Sequence, residues 1–410
     1  MKILRFYPAV FGLAVLSMSG CGANLLRSRA TSPLTPVTIT VCVPSTKPEF
    51  AYVLDGHNVS MFSVDSCTGL FTPTMPASIS TGYTSPEISS EVIVTDLLGR
   101  FAYVANPAFN QSSQSTISMY TINPTTGVLT STSPATVPTG WYPQGMVVDP
   151  LGRFAYTANT YGRSISMFTI NQSTGVLTPT KPASISTILP SQLTSDVLSL
   201  AIDPTGRFLY VPALATTNAA VSMFTIDQST GMLTPTSPAS LPAGGYLFDA
   251  EVTHNGKFLY VVNNESDGKS ATAVWEYSIN SSTGMLSPIV VPGTPLVVAG
   301  SGATAITIDP TSRFAYVVNR RSNSISMYTI DQNTGALTLN TPPNAPLGVL
   351  LLAGASVPFR IAFDPSGKFV YVTNQDYAVA IYTVASDGTL VNAGTTGPIG
   401  ALSTAIAPHQ

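Results

Sequence analysis

The sequence predicts an all-β fold, a seven-bladed β-propeller of four-stranded antiparallel blades, and three observations carry that prediction. Charged residues make up only 9% of the 410-residue chain, against roughly a quarter in an ordinary globular protein. Hydrophobic residues reach 44%, with 17 Phe and 17 Tyr, and 31 Gly and 33 Pro supply turns at short intervals. Above all, a Phe-x-Tyr unit begins at Phe50, Phe101, Phe154, Phe208, Phe258, Phe314 and Phe369, spaced 51, 53, 54, 50, 56 and 55 residues apart. Such a chain buries a large core through many short strands. A coiled coil, a basic nucleic-acid binder and a charge-driven disordered chain all need far more Lys, Arg, Asp or Glu, and a net charge of −3 gives no hold on phosphate.

The chain opens with Lys2 and Arg5, then an apolar run from Phe6 to Leu16, then the small residues Ser19 and Gly20 directly before Cys21. That run is too short for a permanent span, and a basic start with a small-residue exit is the layout of a processed export peptide. Residues 1–20 therefore resemble a bacterial lipoprotein signal with Cys21 as the lipidated residue, although Met18 departs from the usual Leu. An ordinary signal peptide cut nearby is the alternative. Residues 21–36, rich in Ser, Thr and Pro, read as a tether, and residues 37–410 as the folded body. The expected location is the cell envelope, anchored through Cys21. Export places Cys42 and Cys67 where a disulfide persists, and a bridge closing about two dozen residues would stabilise by roughly 3 kcal/mol. Two free buried thiols remain the other reading.

Within each unit the elements follow in one order. Phe-x-Tyr-Val-x-Asn alternates as a half-buried strand does, and a run such as Ser164-Ile165-Ser166-Met167-Phe168-Thr169-Ile170 alternates again. Then comes Asn/Asp-x-x-Thr-Gly, as at Asn171 to Gly175, where the Asx side chain caps the turn and glycine takes the positive φ of a tight hairpin. A short strand such as Val176-Leu177-Thr178 follows, then a variable Pro/Ser/Thr-rich passage. An apolar run such as Ser199-Leu200-Ala201-Ile202 enters Asp203-Pro204-Thr205-Gly206, which turns back to the next Phe-x-Tyr. Four strands per unit, repeated seven times, close into a ring of radial sheets. The Met and aromatic pairs, such as Met167-Phe168, recur once per unit and read as packing between blades. For ring closure, the segment Leu402 to Ala407 is expected to become the innermost strand of the blade begun by Phe50, with Val37 to Val43 at its side; the reverse assignment stays open.

Asp-Pro-x-Gly-Arg-Phe-x-Tyr-Val-x-Asn, followed by Ser-Ile-Ser-Met-Tyr-Thr-Ile and Thr-Gly-x-Leu-Thr, resembles the lactonase-family propellers, including propeller-type 6-phosphogluconolactonase, and the YVTN repeat proteins. The resemblance covers about residues 37 to 410 and rests on hairpin and packing residues. It implies that the inner strands begin at a channel mouth, which places Glu91, Gln144, Ser199, Asp249, Ala305, Arg360 and Ser403 there, ringed by loops carrying His57, Arg163, Glu265, Asp267, Arg320, Arg321 and Asp376. Family members are expected to bring His, Glu and Arg together at this mouth. No inner strand here begins with His.

Opening a lactone requires a base to activate water and a cation or donor for the developing oxyanion. Asp249 or Glu91 fits the first role and Arg360 the second, while Gln144, Ser199, His57, Arg320 and Arg321 are candidate ligand contacts. Each also has a plain reading: Asp249 and Arg360 as a structural ion pair, His57 as a turn residue, Arg320 and Arg321 as a solvated loop tip, and Glu251 as facing a neighbouring blade. His254 replaces a turn residue and belongs on the opposite face. No Cys/His cluster has zinc spacing and no Gly-rich phosphate loop precedes a helix, so no cofactor is expected. The main functional reading is a binding or scaffold propeller that holds a small molecule, glycan or protein at its mouth. The alternative is a lactone hydrolase, whose substrate outside the cell would be an unphosphorylated sugar lactone. The expected partners are this ligand and a membrane reached through the lipid, with no nucleic acid and the chain itself a monomer.

Overall fold

The computed structural model describes residues 48–410 apart from 56, 83–91, 109–113, 188–195, 215–218, 244, 265–272, 290–296, 299, 341–348, 352–356, 375–377, 397–402 and 408–410. The expected signal, tether, Cys21, Cys42 and the Val37–Val43 arm lie outside the described residues. The propeller lies within Val43–Gln410. Cys67 is disulfide-bonded.

Each blade is an antiparallel sheet whose strands run outwards from the axis. Blade 1 consists of Ser403–Ala407, Glu49–Leu54, Asn58–Val64 and Phe71–Ser80; blade 2 of Val92–Thr95, Phe101–Asn106, Thr116–Ile122 and Leu129–Pro138. Blade 3 has Pro143–Val148, Phe154–Asn159, Ser164–Ile170 and Leu177–Ser186; blade 4 has Ala201–Ile202, Phe208–Leu214, Ala220–Ile226 and Leu233–Pro242. Blade 5 has Tyr246–Val252, Phe258–Asn264, Ala273–Ile279 and Leu286–Pro288; blade 6 has Ala303–Ile308, Phe314–Asn319, Ser324–Ile330 and Leu337–Leu339. Blade 7 has Pro358–Phe363, Phe369–Asn374, Val379–Val384 and Leu390–Thr395. The ring closes as expected: Ser403–Ala407 pairs with Leu54–Phe50 and touches the inner strands of blades 2 and 7.

Two local expectations change. The Phe-x-Tyr strands are buried at every described position, Asn159 and Asn319 included, because each blade is covered on both faces by its neighbours. The polar residues are paired inside: Asn159 Nδ2 donates to Ser164 Oγ at 3.1 Å and Ser166 Oγ at 2.9 Å, which explains why Asn and Ser-x-Ser recur together. The Pro/Ser/Thr-rich passage is not a loop in blades 1 to 4. It continues the outer strand to ten residues, with a register shift such as that between Ser166 and Phe168. Thr180 Oγ1 donates to the Pro182 carbonyl at 2.5 Å, so a Thr-x-Pro side chain holds the outward bend.

The two recurring motifs meet across blade boundaries. Phe50 lies over Gly127, whose φ is 69° and where a Cβ would fall 2.2 Å from the Phe50 ring. In the same way Phe101, Phe154, Phe208, Phe258, Phe314 and Phe369 cover Gly175, Gly231, Gly284, Gly335, Gly388 and Gly69, so the series returns to blade 1. The tyrosine two residues on donates to the carbonyl of the same glycine at 2.7–3.3 Å, from Tyr52 to Gly127 round to Tyr371 to Gly69. Each such bond contributes about 1 kcal/mol net, and an orphaned buried hydroxyl would cost more. The recurring methionines also join blades: Leu129 N–H approaches Met61 Sδ at 3.1 Å, and Leu177, Leu233 and Leu286 repeat this with Met119, Met167 and Met223.

At the face opposite the mouth, the Asp-led turns, four of the five with Pro next, explain their own residues. Asp96 Oδ1 accepts the Arg100 and Phe101 amides at 2.6 and 2.9 Å, and its Oδ2 accepts Arg100 Nε at 2.8 Å. The Arg100 guanidinium sits 4.9 Å above the Phe101 ring. Asp149, Asp203, Asp309 and Asp364 cap equivalent turns, so these acids are committed to structure.

Candidate functional site

The inner strands enclose an axial cavity of about 520 Å³. Its wall is mainly apolar, with Val94, Val148, Ile202 and Val252 among its lining residues, and its polar side chains are few: Thr95, Gln144, Ser199, Asp249, Glu251, His254 and Arg360. A mostly apolar hollow with a handful of convergent polar groups is the usual form of a small-molecule site. Strand register explains the placement. Each of four inner strands carries a bulge near its start, and the residue following it is Gly145 in blade 3, Asp249 in blade 5, Ala305 in blade 6 and Arg360 in blade 7. Small residues in two blades leave room; the acid and the base in the other two line it.

Asp249 is held from two neighbouring blades. Its Oδ1 accepts the Ser199 hydroxyl at 2.6 Å and its Oδ2 accepts the Ile306 amide at 3.1 Å. It stands deep within the ring with part of its surface open to the cavity, and this desolvation raises its carboxyl above the usual range; the Arg360 charge and the donated hydrogen bonds oppose the rise. Glu251, two residues along the same strand, is pushed up to about 8 by burial and by the Asp249 charge, against bonds from the Ile308 amide and the Thr307 side chain. The two carboxyls form one coupled system in which a proton stays on the pair through neutral pH.

Arg360 lines the same cavity as Asp249 without being neutralised by it. Among the described residues, the side-chain ion pairs within 4.0 Å are Arg100–Asp96 and Arg153–Asp149, both at the turn face. The Arg360 guanidinium lies 5.7 Å from the Phe359 ring centre, and Arg320 lies 5.7 Å from the same ring. Arg320, Phe359, Arg360, Gln144 and Phe248 also line an adjoining hollow of about 90 Å³. Two cations on one aromatic ring beside an open cavity make an attractive field for a carbonyl or carboxylate oxygen.

The structure thus brings together Asp249, Arg360, Gln144, Ser199 and Arg320. Val92 lines the cavity, whereas Glu91, Glu265, Asp267 and Asp376 lie outside the described residues. His57 is an exposed turn residue whose amide bonds Asp55 Oδ1 at 3.2 Å, and it lines neither hollow. Arg321 packs beside Gly302, where an added Cβ would meet its Cγ at 2.6 Å, and it does not line them either. His254 reaches the far end of the axial cavity with Leu97 and Pro204. Glu251 does contact the neighbouring blade, yet it also lines the cavity. Its position two residues from Asp249, on one face of a strand, was the available signal. Phe248 and Phe359 carried no comparable sign.

The sequence profile of the family described as Lactonase, 7-bladed beta-propeller matches residues 44–188 and 184–403. A 6-phosphogluconolactonase of Sodalis glossinidius is 26% identical over 200 residues, which cover 47% of this chain and 55% of that protein. A 6-phosphogluconolactonase of Pectobacterium carotovorum is 31% identical over 93 residues, covering 22% of this chain and 27% of that one. These matches span about half or less of the relatives' lengths. The solved structure of the Pseudomonas aeruginosa periplasmic gluconolactonase PpgL superposes with a TM-score of 0.68 at 18% identity, covering 88% of this chain and 100% of that one, a likeness of fold.

Proposed function

Because the chain belongs to the seven-bladed β-propeller lactonase family, we propose that it hydrolyses a sugar lactone at the channel mouth, with Asp249 as general base and Arg360 as oxyanion donor. The observation that carries this reading is that Asp249 and Arg360 line one cavity, each within the other's field, with neither consumed in an ion pair. Family membership favours it over the non-catalytic binding module that the missing mouth histidine suggests.

The chemistry runs through the residues in place. With the lactone carbonyl oxygen directed at the Arg360 guanidinium, charge developing on that oxygen is met by a fixed cation in a mostly apolar site. Asp249, oriented by the Ser199 hydroxyl and the Ile306 amide, retains lone pairs to take a proton from water as the water oxygen bonds to the carbonyl carbon. Collapse of the tetrahedral intermediate breaks the ring C–O bond, and the proton passes from Asp249 to the departing ring oxygen, leaving a hydroxy acid. Glu251 keeps its proton at neutral pH, so the site holds one negative charge rather than two. The export-type N-terminus supports an unphosphorylated substrate, because phosphorylated sugar lactones are made inside the cell.

The test is a panel of aldono- and acyl-lactones with the purified chain. Turnover above buffer, lost by roughly 10²–10³-fold in Arg360→Ala and by at least about 10² in Asp249→Asn, is expected. Full activity in both variants removes this mechanism.

A further inference from the structure

Blade 3 carries an aromatic group on the mouth side, close in sequence to the cavity-lining Gln144, that the hydrolytic site does not use. The loop entering its inner strand presents Trp141 and Tyr142, and the next loop presents Tyr161. Tyr161 is 41% exposed. Its ring lies 4.5 Å from Tyr142 at an interplanar angle of 32° and 5.2 Å from Trp141 at 57°. The Trp141 Nε1–H donates to the Ala108 carbonyl at 3.1 Å, which pins the indole to blade 2 by its edge.

Blade 6 builds the same corner without the rings. Gly140 N–H donates to Ser166 Oγ at 3.1 Å, as Gly300 N–H does to Ser326 Oγ at 3.2 Å. Thr160 N–H donates to the Tyr142 carbonyl at 2.9 Å, as Arg320 N–H does to Gly302 at 2.8 Å. Pro143 faces Asn159 as Ala303 faces Asn319, and the same bulge follows in both blades. Trp141 and Tyr142 thus stand where blade 6 has Ser301 and Gly302, and Tyr161 stands where it has Arg321. Gly302 has a φ of 72°, suited to glycine, whereas Tyr142 holds a φ of 59°. An aromatic residue in the left-handed region costs free energy that glycine does not. What that strain secures is a ring packed on an exposed Tyr161, outside the inter-blade core, and backbone strain that recurs near binding sites motivates a functional reading.

The rings are coupled to the mouth. Thr160 Oγ1 lies 2.8 Å from Gln144 Oε1, and Gln144, two residues beyond Tyr142, lines both hollows together with Arg360. Flat aromatic faces are electron-rich and match the C–H faces of a pyranose, leaving the sugar hydroxyls to water. Rigid rings of this kind lose little entropy on contact.

We propose that Trp141, Tyr142 and Tyr161 form a stacking platform for a neutral sugar ring, and that the substrate is the lactone of a disaccharide aldonic acid. This substrate assignment rests on the lactonase reading; the platform does not. The lactone ring occupies the Asp249–Arg360 cavity, and the glycosidically linked second ring lies on the aromatic rim.

Binding is measured first, with the hydrolysed acids, which need no turnover. In a Trp275→Phe chain Trp141 is the one remaining tryptophan, so its emission is titrated with lactobionate, maltobionate and gluconate; calorimetry on the unaltered chain provides the same comparison. The expected result is saturable binding of a disaccharide acid at least tenfold tighter than gluconate, with this preference lost in Tyr161→Ala. Equal affinity for the two classes, or no binding of either, overturns the platform. Turnover is measured separately: the ratio of kcat/KM for lactobionolactone to that for gluconolactone should fall at least tenfold in Tyr161→Ala, and an unchanged ratio overturns the substrate assignment. If no lactone is turned over, the hydrolase reading fails and the substrate assignment with it, while the binding result still decides the platform.

Discussion

The Tyr371 hydroxyl donates to the Gly69 carbonyl oxygen at 3.3 Å, bonding blade 7 to blade 1 across 302 positions of sequence. The six equivalent bonds measure 2.7–2.9 Å, so the joint that seals the ring is the longest of the set.

Substitution at such a joint should cost more than at an open turn of the same backbone conformation. Gly69 has a φ of 72° and an added Cβ would lie 2.6 Å from the Phe369 ring, whereas Gly82, at 74°, has nothing within 4 Å. Backbone strain alone costs roughly 1–2 kcal/mol, and overpacking adds about 1–3. Gly69→Ala should therefore lose roughly 2–5 kcal/mol and Gly82→Ala about 1–2. Denaturant melts of the two variants check the ordering; equal losses would mean that the covering Phe369 ring adds nothing to the backbone cost.

Glu276 makes one blade boundary sensitive to pH. It stands where other blades have Met61, Met119, Met167 or Met223, and its Oε2 accepts the Leu337 amide at 3.1 Å. Burial pushes its carboxyl up from 4.5 to about 7. Between those values the unfolded chain loses the proton first, so stability falls as pH rises through this window and then levels off. Glu276→Met should flatten that segment of the stability curve, by on the order of 1–2 kcal/mol given the solvent that still reaches the group. Melting both proteins from pH 4 to 9 and subtracting the curves gives the measurement; a difference independent of pH contradicts it.

The coupled carboxyls should shape the rate profile. Asp249 works ionised, so kcat/KM rises through its elevated pKa, and Glu251 then ionises near 8, adding a second negative charge beside the oxyanion. The expected profile is a bell. Glu251→Gln should keep the acid limb and lose the fall near pH 8; a fall that persists unchanged in this variant assigns it to another group.

The proposed lipid anchor at Cys21 is tested by location. Cys21→Ser should move the chain from the membrane fraction to the aqueous one and abolish labelling by a fatty-acid analogue. Retention at the membrane without label would point to another attachment.

Much of the ring was readable because each unit repeats its own punctuation. Phe-x-Tyr and Thr-Gly announced themselves by spacing, and the Asx caps and Asp-Pro turns by local chemistry. What spacing does not reveal is that the phenylalanine of one unit lies on the glycine of the next, some seventy residues on, since that contact belongs to the circle and not to the unit. The buried Asn159 reads as an outward polar residue until the neighbouring blade covers it. At the site, Asp249 and Arg360 stood out as charges among small residues at one register. Glu251 was discounted as a blade contact because a side chain bonded to a neighbouring strand and open to the axis satisfies both descriptions. Tyr142 gave no sign at all: its unusual φ exists only in the folded corner.

The pairing of Ser403–Ala407 with Leu54–Phe50 also sets a timetable. The segment that finishes the first blade is synthesised after every other blade, so Glu49–Leu54 waits through nearly the whole of translation with bare amides along one side. Two half-finished rings that meet in this interval can lend each other their last segment, producing an intertwined pair that is slow to separate. Yield on refolding should accordingly depend on dilution, because the native closure is a race between an intramolecular docking and a neighbour's offer.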